Sequence, residues 1–249
     1  MFTVEERHRI REGLLEKARN DERVVAGAEV GASAGGGGDR WSDLDLTFGV
    51  ADGTSIADVL SDWTADLAVE YGAVNLFDVT FLSSVYRVFL MPGNLQVDLS
   101  FTPSAEFGAL GSKFTLLFGS AVARNFPEPP TAAHIFGMGV HHAVRARICI
   151  ERDRSWQAEY WISGARDEAL ALACRLRGLE PGIGRSFDDL PGEVLDLFEG
   201  ALVRSVDRRE LLRALRCAID CLLAAAAERP ELAERIESQL RELTTEQNY

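Results

Sequence analysis

Asp43 and Asp45 stand one residue apart, and Leu44, Leu46, Phe48 and Val50 alternate with Asp45, Thr47 and Gly49 from the same point on. That period of two predicts a strand over 44–50, with both aspartates on one face and their carboxylates close together. Two neighbouring carboxylates repel unless a cation neutralises them, and a hard divalent ion with oxygen ligands, Mg²⁺ above all, is the natural partner. A third acid, Asp98, lies in Leu95-Gln96-Val97-Asp98-Leu99, where Gln96 and Asp98 face opposite to the apolar residues. An acid there makes sense if that face lines a metal site. Immediately before the aspartates runs Gly31-Ala32-Ser33-Ala34-Gly35-Gly36-Gly37-Gly38. A glycine turn lets backbone N–H groups approach a phosphate with no side chain in the way.

These residues need elements to hold them. Thr3-x-x-Glu6 is a capping-box pattern, and Val4, Ile10, Leu14, Leu15 and Ala18 predict an amphipathic helix over 4–19. Val24 to Val30 is an apolar run leading into the glycine turn. Ile56, Leu60, Trp63 and Leu67 mark a helix. Three strand-like runs follow, 74–82, 85–91 and 95–101, the last two joined by the hairpin signature Pro92-Gly93-Asn94. Lys113 falls in a loop-like segment. Pro127, Pro129 and Pro130 then punctuate the chain. Beyond them helical periodicity dominates, over 131–152, 156–178, 191–204, 207–228 and 231–245, with Pro230 breaking the last two. The expected architecture is α+β, a small mixed sheet with helices over residues 1–126 and an all-helical bundle over 127–249.

Composition narrows the classes. Of 249 residues 47% are hydrophobic and 26% charged, which is globular and not disordered. Acids outnumber Lys plus Arg by 39 to 26, a net charge of −13 that disfavours DNA or RNA as the main ligand and suits a polycationic one. Only Lys17 and Lys113 are lysines; every other basic residue is arginine. No apolar stretch approaches membrane-spanning length, and the charged N-terminus lacks a signal-like apolar region, so a cytoplasmic protein is expected. Cys149, Cys174, Cys217 and Cys221 form no Cys-x-x-Cys and read as reduced core thiols.

Other motifs fall away. Gly31-Ala32-Ser33-Ala34-Gly35 matches the G-x-S-x-G nucleophile elbow, but only 32 residues precede Ser33 and glycine and charge follow it in place of a helix start. No phosphate-loop G-x-x-x-x-G-K-[ST] is present. The adjacent His141 and His142 point to different faces of a helix and make a poor metal pair.

The segment Gly31…Asp43-x-Asp45, followed by Asp98, resembles the nucleotidyltransferase superfamily of DNA polymerase β. Within it, Asp39 to Leu46 is similar to the two-domain antibiotic nucleotidyltransferases of the lincosamide and aminoglycoside types. The resemblance spans the chain and is most specific in 31–46 and 95–99. It implies transfer of a nucleoside monophosphate, expected to be AMP from ATP, to a small-molecule hydroxyl with release of pyrophosphate. It implies that Asp43 and Asp45 hold Mg²⁺, and that Asp98 binds a second ion, takes the acceptor proton, or both. Gly31 and Ser33 would contact the β- and γ-phosphates. Lys113 and Arg166 are candidates for further phosphate contacts, and Glu159, on the same helix face as Arg166, for holding the acceptor. Trp156, Tyr160 and Trp161 read as core or domain-interface residues. The family pattern places Ser directly after the first glycine; here Ala32 takes that place and Ser33 follows, while Gly35 stands where the loop is often basic or polar. Two other readings are a nucleotidyltransferase that modifies a protein or tRNA, as toxin–antitoxin enzymes do, and a non-catalytic nucleotide-binding module.

Overall fold

The computed structural model describes residues 1–36, 38–111, 113–125, 128–227, 231 and 233–245. Gly37, Pro127 and Pro230, the expected domain boundary at 126/127, and the end of the expected 207–228 helix lie outside the described residues. The chain is α+β and divides into two compact units, Met1–Glu128 and Pro129–Tyr249.

In the first unit the elements run α1 (Val4–Asn20), β1 (Val24–Val30), β2 (Leu44–Val50), α2 (Ile56–Tyr71), β3 (Val74–Phe81), β4 (Ser84–Met91), β5 (Leu95–Pro103) and β6 (Phe114–Phe118). The capping box forms: the Glu6 N–H donates to Thr3 Oγ1 at 3.1 Å and the Thr3 N–H to Glu6 Oε2 at 2.7 Å. Six strands make one mixed sheet in the order β3-β4-β5-β2-β1-β6. β4 and β5 pair antiparallel across the Pro92–Asn94 turn, and β2 lies parallel to β5. One face of the sheet carries the core. Leu44, Leu46, Phe48, Val97, Leu99 and Phe101 are buried there against α1 and α2. Phe48, Trp63 and Phe101 meet with ring centroids 5.1–5.5 Å apart. The opposite face at β2 and β5 carries Asp45 and Asp98.

The second unit contains α3 (Ala132–Glu151), α4 (Ser155–Leu176), α5 (Gly192–Glu199), α6 (Arg208–Ala226) and α7 (Glu237–Glu242). α3, α4 and α6 share a core in which Ala143, Ala146, Ala165, Ala169, Ala214 and Ala218 are buried. Such small side chains let helix axes come close while leucines fill the gaps.

Local structure departs from expectation in three places. The segment after Lys113 is the edge strand β6, paired with β1. Helix 191–204 stops at Glu199 in α5, and among the described residues of 231–245 the α-helix is the short α7. Trp156 and Tyr160 are 77% and 66% exposed, so they are not core residues; Trp161 is half-buried.

Candidate metal and nucleotide site

The parallel pairing of β2 with β5 sets Asp45 directly opposite Asp98. Asp43 immediately precedes β2. Each of the three offers a carboxylate oxygen, and these atoms lie within 4.8 Å of one another. Gly31 makes this close approach feasible. It sits at φ +71°, and a Cβ there would fall 2.0 Å from Asp45 Oδ2. Any side chain at residue 31 would collide with the carboxylate, besides being strained in the left-handed region.

Burial raises the Asp98 pKa above the ordinary carboxylate range. The Gln96 amide pulls it part of the way back, donating to both carboxylate oxygens at 3.1 and 3.3 Å, while the charge of Asp43 adds to the rise. Three convergent carboxylates, with no sulfur or imidazole among them, form a hard-oxygen donor set that fits Mg²⁺ or a cation of similar hardness.

The turn from Gly31 to Gly36 connects β1 toward β2 in two tight steps, with Gly35 and Gly36 also at positive φ. Ser33 lies within it, its Oγ next to Gly38. The following loop is pinned from two sides. Asp39 accepts from the Trp41 N–H at 2.8 Å, and Arg7 of α1 donates to the carbonyls of Asp39 and Ser42, both at 2.7 Å. Beside the turn is an open groove of about 430 Å³, lined by Arg7, His8, Arg11, Ser33, Gly35 and Gly36 among others. Arg11 is committed there to Glu29, which is only 7% exposed, through two bonds of 2.9 and 3.0 Å. Neither Arg7 nor the Arg11–Glu29 pair carries a sequence signal, because each partner lies 18 to 35 residues away.

Lys113 is exposed and abuts β6, whose Phe114 pairs with Val30, at the end of the sheet where β1 runs into the glycine turn. Glu159 and Arg166 belong to α4 in the second unit. Glu159 accepts from the Ser163 hydroxyl at 2.8 Å, and Arg166 pairs with its neighbour Asp167 at 2.7 Å and not with Glu159. The histidines of α3 form an aromatic group, His141 and His142 each packing on Trp161. The four cysteines are free thiols, with Cys149, Cys174 and Cys221 buried. No helix among the described residues is long and apolar enough to cross a membrane.

No protein-family profile matches the chain, and no curated protein matches it in sequence. Among solved structures, the crystal structure of an aminoglycoside 6-adenyltransferase from Bacillus subtilis is similar over 99% of this chain and 100% of that one, at 15% identity and a TM-score of 0.42. A likeness this distant bears no weight for chemistry, which rests on the site.

Proposed function

We propose that the chain is a Mg²⁺-dependent nucleotidyltransferase that transfers a nucleoside monophosphate, AMP from ATP, to the hydroxyl of a small molecule. The observation that supports this reading is the convergence of Asp43, Asp45 and Asp98 beside a glycine turn whose first residue has no side chain to collide with the Asp45 carboxylate. In it, Asp43 and Asp45 hold the metal ion, and Asp98 completes the set. A magnesium ion so bound neutralises negative charge on the triphosphate and on the departing pyrophosphate. The backbone of the turn and the Ser33 hydroxyl bind the β- and γ-phosphates, and Lys113 adds a positive charge at the same end of the sheet.

The acceptor hydroxyl oxygen forms a bond to the α-phosphorus. The bond from that phosphorus to the oxygen bridging the α- and β-phosphates breaks, and pyrophosphate leaves with the electron pair. The hydroxyl proton passes to a carboxylate oxygen of Asp98, whose burial favours holding a proton. An aminoglycoside or lincosamide antibiotic is the acceptor class the family resemblance suggests.

The test is pyrophosphate release by the full chain with Mg²⁺, each nucleoside triphosphate and a pooled set of such antibiotics, alongside the acceptor's mass. Acceptor-dependent pyrophosphate with a matching gain in mass, reduced at least about 1,000-fold in Asp43→Asn and Asp45→Asn, is the expected result. Turnover that survives both substitutions excludes the reading.

A further inference from the structure

The carboxylates occupy only half of the open sheet face. Strand register carries one row straight across it: Asp45 lies opposite Asp98, Asp98 opposite Val88, and Val88 opposite Phe77. The next rows end in Val79 beside Tyr86 and in Phe81 beside Ser84. Phe77, Val79 and Phe81 are 54%, 47% and 43% exposed. β3 is one of the two edge strands of the sheet, β6 being the other, and its single charged residue, Asp78, turns to the other face, where Arg87 holds it at 2.6 Å. Edge strands in proteins are usually blunted by charge or proline, and β3 presents neither on this face. A contiguous exposed apolar patch of this kind marks a binding surface.

We infer that the apolar half formed by β3 and β4 is the subsite for the second substrate, and that this substrate is amphipathic, with an alkyl or aryl group about 10 Å from its reactive hydroxyl. That distance is two strand spacings, from β5 to β3. The inference rests on the nucleotidyl-transfer reading, because the triad and its glycine turn give the ligand its direction. The turn lies on the β1 side of the carboxylates and takes the triphosphate. The β4–β3 side is left for a molecule whose hydroxyl meets Asp98 and whose apolar end reaches the exposed Phe77 and Val79, past Val88, which is itself buried. Neither β3 nor β4 turns an acidic side chain to this face, and the charge acting on Tyr86 there is the cation Arg124, so this half offers a polycation nothing to pair with, in contrast to what the net charge of −13 suggests for the whole chain. A second copy of the chain pairing along β3 is the competing occupant.

Binding is measured by calorimetry on the full chain with Mg²⁺ and a non-hydrolysable ATP analogue. The probes are methyl, butyl and hexyl β-glucosides, with kanamycin as the polycationic counterpart. The variant is Phe77→Ser/Val79→Ser, both exposed positions whose change spares the core. Affinity is expected to rise about threefold per methylene in the native chain and to flatten in the variant. Binding of the ATP analogue stays unchanged in both. Glucoside affinities that do not rise with chain length, a rise that survives the substitutions, or kanamycin binding that weakens with them each overturn the inference. So does sedimentation showing a dimer that the same substitutions dissociate. Loss of Mg²⁺-dependent binding of the ATP analogue in the native chain would instead bring down the underlying reading, and the inference with it.

Discussion

At the scale of single residues, the site depends on one missing side chain. Gly31→Ala forces a methyl group into the Asp45 carboxylate and strains a left-handed backbone at once. The expected result is at least a 100-fold loss of transfer together with a stability loss of about 1–3 kcal/mol, read from kcat and from urea unfolding. Gly36→Ala is the control. It shares the positive φ but meets nothing within 4 Å, so it should destabilise without the same loss of turnover. Away from the site, Asp21 is a second residue with a measurable signature. Arg23 holds its pKa down at about 2, from the usual 3.8, and the Trp63 indole donates to it at 2.9 Å. The unfolded chain therefore binds this proton more readily than the folded one. The resulting stabilisation is complete above about pH 4 and is lost as pH falls toward 2. Asp21→Asn is expected to lower stability by about 1–2 kcal/mol at pH 7 and to flatten that part of the acid limb, measured by urea unfolding between pH 7 and 2.5.

Elements show how far local pattern reaches. The capping box, the alternation over 44–50 and the hairpin at Pro92–Asn94 all depend on residues within a few positions of one another, and each is legible in sequence. β6 is not. Phe114–Phe118 is short, and it is a strand because β1 offers an edge more than 80 residues earlier. Conversely, periodicity over 231–245 overstates the helix, since α7 keeps only Glu237–Glu242. The segment is tied down by a side chain from elsewhere. Arg147 of α3, 8% exposed, donates to Glu151 at 2.6 Å and to the carbonyls of Leu243 and Thr245. Arg147→Ala leaves these acceptors unpartnered, and an expected loss of about 2–4 kcal/mol would be read from denaturant unfolding. Hydrogen exchange should report faster opening at residues 243–245 than at the buried centre of α6.

The whole molecule adds the energetic consequence of charge. Net charge is −13, and carboxylate oxygens of Asp43, Asp45 and Asp98 lie within 4.8 Å of one another. A divalent ion that binds only the folded chain must stabilise it. At Mg²⁺ a hundredfold above its dissociation constant the gain is about 2.7 kcal/mol. Differential scanning calorimetry should therefore show a rise in Tm with Mg²⁺ for the native chain. The rise should be absent in Asp43→Asn/Asp45→Asn and reversed by EDTA. An equal rise in the variant would place the ion elsewhere.

What residue order alone determined is everything carried by near neighbours: the α+β class, most of the elements, and the pair Asp43 and Asp45 at the start of β2 after a glycine turn. Asp98 was legible as an acid out of place in an apolar strand. Only the tertiary structure decided that β2 runs parallel to β5, which sets Asp98 opposite Asp45 and Val88 and Phe77 beyond it. The same holds for Arg7 on the loop and for the Arg11–Glu29 pair. Parallel pairing needs a crossover, here about 50 residues of chain between Asp45 and Asp98, and its register follows from burial of one sheet face, not from any local preference. The carboxylates could be found by spacing; the apolar surface beside them exists only once the sheet has formed.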